Sequence, residues 1–300
     1  MTNYPNLFLI GAPKSGTTSL AAELGQHPEI FCPKEKEPRY YDSTVFYDFP
    51  EDQNRVSKSQ YLDLYSGVAP QEKWLLDASV FVMYSLDAVQ RIVEDSPEAK
   101  FIIVLRDPLS ASKSMHSQRL KTFYTHLREV NDDFYTCFDL LPLRRKGEAY
   151  PEGCRNKILF RYDLLYSYEL YLPKLIEFLG SRLLIVGYKD YSQNPKQVHE
   201  KITAFLNVDT NNEFQSEQRN KSEVVDNNYL TRSAYWLANR LYPFRRALKP
   251  LWDLAKPLKK LIIKKKVRTQ NLDPSGDARV REAFTPTYEF LETLDIHNHA

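Results

Sequence analysis

Four short apolar runs, separated by longer amphipathic stretches, constrain the fold of this chain more than any other feature. The runs are Leu7–Gly11, Trp74–Ala78, Phe101–Leu105 and Leu183–Gly187. Near-continuous apolar character is typical of parallel strands whose two faces are both covered. Because strands that alternate with helices build a parallel sheet, the pattern predicts an α/β fold, a three-layer sandwich around a central parallel sheet.

Helices are predicted after the first and third runs, over Thr18–Gln26 and about residues 110–127. A third helix is expected over Tyr162–Leu179, although this stretch contains a proline. A closing helix is expected over about residues 277–294. Since 300 residues fit one large domain, we expect a single domain that spans the whole chain, with its core at about residues 5–210.

Composition excludes several classes of protein. Hydrophobic residues make up 42% and charged residues 27% of the chain, which is typical of a globular protein and not of a disordered one. The three cysteines, Cys32, Cys137 and Cys154, form no CxxC pair. A disulfide framework and a four-cysteine zinc site are therefore not expected, and free thiols suit a reducing cytosol.

A basic segment, residues 242–268, differs from the rest of the chain. It holds ten Lys or Arg residues and one acid, Asp253, whereas the whole chain has a net charge of only +2. We expect a helical extension over about residues 229–268, broken into short helices by three prolines. Three interpretations are open: a solvated cationic face, a groove that recruits an anionic polysaccharide, and a surface helix that meets an acidic membrane. Nucleic acid is not an expected partner, because the rest of the chain is acidic and carries no reader motif.

The first residues, MTNYPNLFLIGAP, contain no basic region and an apolar run of only four residues, so no signal peptide is predicted. No run of 18 apolar residues occurs, so no membrane span is predicted. We expect a cytoplasmic protein, at most peripheral to a membrane through residues 242–268.

A loop rich in small and hydroxyl residues, GAPKSGTTS, follows the first predicted strand and opens the first helix. Such a turn directs backbone N–H groups and a helix N-terminus at one point, which makes an anion site. The glycines have the spacing of the ATP and GTP loop GxxxxGK[ST], but a threonine takes the place of its lysine. The candidate anion-binding residues of this loop, called the anion loop below, are Lys14, Ser15, Gly16, Thr17, Thr18 and Ser19.

The sequence PKSGTTSL within this loop resembles the loop with which sulfotransferases hold the 5′-phosphosulfate of 3′-phosphoadenosine 5′-phosphosulfate (PAPS). RDPLSASKS, Arg106–Ser114, resembles the family's 3′-phosphate signature, an Arg and a Ser eight residues apart. Arg106 would lie at the C-terminal edge of a parallel strand, where open sheets bind ligands, and Ser114 about a turn into the next helix. The resemblance implies PAPS as co-substrate, no metal, and a fold like that of the P-loop nucleotide kinases.

KEKEPRYYD, Lys34–Asp42, resembles the K-E-x-x-[FY]-[FY] element of the heparan-type and related bacterial sulfotransferases. In that branch the glutamate is the proposed catalytic base, which maps onto Glu37. Lys14 and the loop amides suit the developing negative charge of an in-line displacement. His116 is the rival base, because imidazole has this role in other branches. Whether Lys221, in the nearest counterpart of the family's late phosphate loop, belongs to the 3′-phosphate site is left open.

These features predict a PAPS-dependent sulfotransferase that acts on a hydroxyl or an amine of a carbohydrate, a lipid or a small metabolite. One alternative is a P-loop kinase that uses ATP and Mg²⁺, for which Asp77 is the nearest counterpart of a metal-binding carboxylate. The other is a membrane- or polyanion-binding protein with a vestigial nucleotide fold. Acceptor pockets are built from loops, so the residues do not name the acceptor.

Overall fold

The computed structural model of the chain describes residues 4–42, 56–122, 124–154, 156–209, 223–225, 265–267 and 273–294. Contacts divide the chain into two compact units. The first unit comprises residues 1–111, 164–219 and 281–300, and the second comprises residues 112–163 and 220–280. The single domain expected from the sequence stays a prediction.

Five parallel strands form the sheet of the first unit, in the order β2-β3-β1-β4-β5. They are β1 (Leu7–Gly11), β2 (Ile30–Phe31), β3 (Trp74–Asp77), β4 (Lys100–Leu105) and β5 (Leu183–Gly187). The four apolar runs all form strands, and the predicted α/β class with a central parallel sheet is confirmed. β2 was not predicted, because two residues are too few to show a pattern.

The helices of the described residues lie between and after these strands. They are α1 (Thr17–Leu24), α2 (Lys58–Asp63), α3 (Leu86–Asp95), α4 (Pro108–Leu120), α5 (Phe134–Asp139), α6 (Leu141–Arg145), α7 (Tyr162–Leu165), α8 (Leu172–Leu179), α9 (Tyr188–Gln193), α10 (Pro195–Leu206), α11 (Pro274–Ala283) and α12 (Thr285–Glu292). None of these helices is both long and apolar enough to cross a membrane.

Both faces of β1 are buried. Leu9 belongs to the core cluster that also contains Leu20 of α1 and Ile202 of α10. Phe8 points to the opposite face, where its ring meets Tyr41 edge-on at 6.0 Å between centroids. Successive side chains of a strand point to opposite faces, so this burial explains the continuous apolar run.

Three of the predicted helices are wrong as continuous elements. The helix predicted at about residues 110–127 ends at Leu120, and a separate 3₁₀ turn follows at Thr125–Leu127. The stretch Tyr162–Leu179 forms α7, a 3₁₀ turn at Tyr168–Leu170 and then α8, which has Pro173 in its first turn. The closing helix is likewise divided into α11 and α12, with Pro286 in the first turn of α12. Proline lacks the N–H that a helix interior needs but fits the first turn, where that N–H has no partner, so each proline marks a new start.

Most of the predicted helical extension at residues 229–268, and Lys221, lie outside the described residues. The part that the structure describes, β7 (Lys265–Val267), is a strand and not a helix. It pairs antiparallel with β6 (Glu223–Val225). The backbone N–H and C=O groups of β7 thus find hydrogen-bond partners on β6.

A fully buried ion pair lies in the second unit. Arg144 on α6 donates hydrogen bonds of 2.9 and 2.7 Å to the two carboxylate oxygens of Glu129, and one of 2.8 Å to the carbonyl oxygen of Phe160. Both charged side chains are completely buried. Burial alone would raise the pKa of Glu129, but the hydrogen bonds from Arg144 hold that pKa below its ordinary value.

Arg144→Met is expected to lower the free energy of unfolding by about 3–5 kcal/mol, because it leaves a buried carboxylate without its cation. The matched control is Arg145→Met. Arg145 pairs with Asp163 at 2.9 Å but is 60% exposed, so its loss is expected to cost at most about 1 kcal/mol. Urea denaturation at pH 7 measures both variants, and equal losses would contradict the expectation. Since the native pKa of Glu129 is lowered, the deficit of Arg144→Met should shrink as the pH falls below 4.5.

Candidate active site

The loop between β1 and α1 has a backbone conformation that few residues adopt. Gly16 caps α1 at a φ of +79°, and Lys14 has a φ of +67°. A Cβ atom on residue 16 would lie 2.9 Å from the ring of Tyr188, so space as well as φ requires glycine. The first N–H groups of a helix have no partner within it, and this turn therefore offers donors to an anion.

Ser15 gives this loop an unsatisfied donor. Its side chain is fully buried, and among the described residues its hydroxyl has no hydrogen-bond partner. The Tyr168 hydroxyl, which lies beside Ser15, donates to the carbonyl oxygen of Arg106 at 3.0 Å. A buried hydroxyl without a partner costs about 1–3 kcal/mol, which a ligand oxygen would recover. The loop therefore fits a sulfonate or phosphate group.

Arg106 joins the loop after β4 to the loop after β1. Its guanidinium donates to the carbonyl oxygen of Lys14 at 2.9 Å and lies 4.5 Å from the centroid of the Tyr188 ring. β1 and β4 are neighbours in the sheet, so their C-terminal ends meet at one edge. The structure therefore brings Arg106 and the candidate anion loop together.

Glu37 reaches the same loop through Lys36. The Lys36 ammonium donates to Glu37 Oε1 at 3.1 Å and to the hydroxyls of Thr18 and Thr17 at 3.1 and 3.4 Å. The Arg39 guanidinium lies 3.3 Å from Glu37 Oε2. Glu37 is 28% exposed, so it is neither buried nor a freely solvated charge. Sequence reasoning placed Lys36 beside Glu37, but only the folded loop shows that it also reaches α1.

The other predicted site residues have different surroundings. Ser114 lies in α4, in the second unit, and its pairing with Arg106 stays a prediction. Ser19 is half-buried in the first turn of α1. His116 is buried, and its Nε2 lies 3.1 Å from the carbonyl oxygen of Asn131. A ring nitrogen that faces a carbonyl oxygen donates a proton to it, so Nε2 is engaged with Asn131, and the role of His116 as the rival base stays a prediction.

Asp77 is the last residue of β3, and its side chain is buried. Its carboxylate accepts a hydrogen bond of 2.6 Å from the Tyr61 hydroxyl and one of 2.9 Å from the backbone N–H of Ser79. Burial raises the pKa of Asp77. Both oxygens are thus engaged within the protein, and Asp77 supports the position of the neighbouring segment. Among the described residues, no group of three or more His, Cys, Asp or Glu side chains is placed to hold a metal ion.

An open cavity of about 1040 Å³ adjoins Glu37. Its lining mixes charged and apolar groups and includes Phe31, Lys34, Glu35, Arg39, Leu64 and Ser66. Ligand pockets typically have volumes of about 300–1,000 Å³, so the cavity has room for a sizeable molecule beside the Glu37 carboxylate.

Comparison with known proteins supplies independent evidence. The profile of the sulfotransferase family matches residues 5–212. Carbohydrate sulfotransferase 15 of Mus musculus is 25% identical in an alignment that covers 85% of this chain and 50% of that protein. Bifunctional heparan sulfate N-deacetylase/N-sulfotransferase 3 of Homo sapiens is 25% identical over 210 residues, 68% of this chain and 22% of that protein. The chain thus spans about half, or less, of the length of these relatives.

A solved structure agrees with the fold. The sulfotransferase from Alicyclobacillus acidocaldarius superposes with a TM-score of 0.61 at 24% identity, over 83% of this chain and 96% of that chain. The matched residues 5–212 contain all five strands of the sheet, the anion loop and Arg106. Together with the motifs, these matches confirm the resemblance drawn from the sequence: the chain belongs to the sulfotransferase family.

Proposed function

We propose that this protein transfers a sulfuryl group from PAPS to a hydroxyl or an amine of an acceptor. The acceptor atom forms a bond to sulfur, the bond from sulfur to the phosphate oxygen breaks, and adenosine 3′,5′-bisphosphate leaves. The acceptor proton passes to Glu37. The observation that carries this proposal is the meeting of the anion loop, Arg106 and Glu37 at one edge of the sheet. Membership of the sulfotransferase family supports the same reaction.

The loop residues hold the phosphosulfate and stabilise the leaving phosphate. Lys14 contributes a positive charge, and the first-turn amides of α1 contribute oriented donors. The Ser15 hydroxyl is buried in this loop and can donate to a ligand oxygen. Lys36 adds a second cation, positioned by Thr17 and Thr18. Sulfuryl transfer of this kind depends on positioning and charge stabilisation, which is what these groups supply.

The acceptor enters beside Glu37. Glu37 lines a cavity of about 1040 Å³, a volume that holds a sugar residue. The relatives named above are carbohydrate and heparan sulfate enzymes, which makes carbohydrates the first acceptors to test.

Glu37→Gln keeps the shape and hydrogen bonding of the side chain but cannot accept a proton. Turnover is expected to fall by roughly 10²–10⁴ while the dissociation constant of PAPS changes little, because a general base acts mainly in the transition state. The measurement is single-turnover transfer from labelled PAPS, with calorimetry for binding. His116→Asn is the comparison variant and should retain most activity. Loss of activity in His116→Asn with retention in Glu37→Gln would assign the base to His116, and loss of PAPS binding in Glu37→Gln would make it a structural partner of Lys36 and Arg39.

Arg106→Ala is expected to weaken PAPS binding by about 1.5–3 kcal/mol, roughly ten- to a hundredfold, because it removes a charged donor from the 3′-phosphate. Adenosine 5′-phosphosulfate, which lacks that phosphate, should lose much less affinity. Arg182→Ala is the matched control, since Arg182 also donates to a backbone carbonyl, that of Pro97 at 3.2 Å. Ser114→Ala tests the second predicted residue in the same way.

Isothermal calorimetry of PAPS, adenosine 5′-phosphosulfate and ATP with Mg²⁺ measures these affinities. Equal losses for the two sulfated nucleotides would show that Arg106 acts through the anion loop and does not read the 3′-phosphate. A wild-type protein that binds ATP with Mg²⁺ more tightly than PAPS would overturn the proposed function in favour of a kinase.

A further inference from the structure

The turn that carries Arg106 is held by hydrogen bonds from residues of α11 and α12. Asp107, which follows Arg106, is buried, and its Oδ2 accepts a hydrogen bond of 2.6 Å from the hydroxyl of Tyr288 on α12. The Arg281 guanidinium lies 3.5 Å from the same oxygen and 3.3 Å from the Tyr288 hydroxyl. Asp107 Oδ1 accepts from the backbone N–H of Ser110 at 2.8 Å. One carboxylate thus ties α12 to the start of α4.

A second contact joins α12 to the same turn. The fully buried Thr287 donates to Glu169 Oε2 at 2.7 Å. Tyr168, next to Glu169, donates to the carbonyl oxygen of Arg106 at 3.0 Å. The backbone of Arg106 and the side chain of Asp107 are therefore both held by groups that α12 anchors.

The hydrogen bond from Tyr288 to Asp107 is a strong one. The Tyr288 hydroxyl is protonated at neutral pH and donates to Asp107, and burial and the Asp107 carboxylate raise its pKa further. A hydrogen bond to a charged acceptor is about twice as strong as one between neutral groups. A short bond of this kind reduces the freedom of the turn before any ligand arrives.

The position of the turn matters because Arg106 must meet a single phosphate. Its side chain is already directed by the carbonyl oxygen of Lys14 and the ring of Tyr188, but these contacts do not fix its own backbone. A charged group reads a ligand well only when the surrounding residues hold it within about 0.5 Å of the productive geometry. The contacts from α12 provide that support.

We propose that Tyr288 is a positioning residue for nucleotide recognition: through Asp107 it holds the Arg106 turn in place and so contributes to the distinction between nucleotides with and without a 3′-phosphate. This inference rests on the proposed function, in which Arg106 contacts the 3′-phosphate. Residue 288 lies beyond residues 5–212, the part of the chain that the family profile matches.

The test compares adenosine 3′,5′-bisphosphate with adenosine 5′-monophosphate, which differ only in the 3′-phosphate. In Tyr288→Phe, which removes a single oxygen atom, affinity for the bisphosphate is expected to fall about three- to tenfold, less than for direct loss of a charged contact. Affinity for the monophosphate should change less than about twofold. Thr287→Val, which removes the second contact, should shift the ratio in the same direction.

Tyr150→Phe is the matched control. The Tyr150 hydroxyl also donates one hydrogen bond, to the carbonyl oxygen of Arg144 at 2.8 Å, within the second unit. Both tyrosine variants lose one partly buried hydrogen bond and should lose similar thermal stability. Only Tyr288→Phe should change the ratio of the two nucleotide affinities.

Three outcomes would overturn the inference. The first is a wild-type ratio in Tyr288→Phe while Arg106→Ala abolishes the preference, which would leave the proposed function intact. The second is an equal loss for both nucleotides in Tyr288→Phe, which would indicate a general structural role. The third is a wild-type protein that does not prefer the bisphosphate, which would also overturn the 3′-phosphate role of Arg106.

Discussion

The parallel pairing of β1 and β4 determines where the candidate active site lies. Apart from Lys100 the residues of both strands are buried, and Leu7 pairs with Lys100. The register shifts between Leu9 and Gly11, and the pairing continues past the end of β1, where the Ala12 N–H donates to the carbonyl oxygen of Val104 at 2.8 Å. Two loops far apart in sequence therefore emerge side by side. The anion loop comes from one strand and Arg106 from the other, and the remaining groups of the candidate site are arranged around this edge.

The cations at this edge are held by neutral groups of the protein as well as by carboxylates. Arg106 is positioned by a backbone carbonyl and an aromatic ring, and Lys36 by two threonine hydroxyls in addition to Glu37. The contacts with neutral groups hold these cations in place without neutralising their charge. The loop therefore has a positive electrostatic potential before any ligand binds. Electrostatic stabilisation is effective when the groups that provide it need little reorganisation during the reaction. The Glu37 carboxylate is attracted to the loop by the positive charge of Lys36 and Arg39.

Sequence alone predicted the parts of the fold that depend on local pattern. Buried parallel strands leave continuous apolar runs, so the four longer strands were found, whereas the stretch 162–179 was mistaken for one helix because its apolar spacing continues across Pro173. The motifs located Lys14, Arg106 and Glu37. They did not indicate that Lys36 reaches Thr18 or that Tyr288 reaches Asp107, because such contacts arise only when distant segments pack together. For His116, the partner that occupies its Nε2 lies on a separate segment and has no signature in the sequence.

The contact between Tyr288 and Asp107 has a consequence for the order of events during synthesis. It closes a separation of 181 residues, so the strands, the anion loop and Arg106 leave the ribosome long before α12 has been made. Chains usually begin to fold from the N-terminal side as they emerge. A nascent chain can therefore form the sheet before the turn after β4 is held by Tyr288. The edge that carries the candidate site is thus completed only after α12 has been made, and a shorter nascent chain holds the family core while the turn with Arg106 still lacks this support.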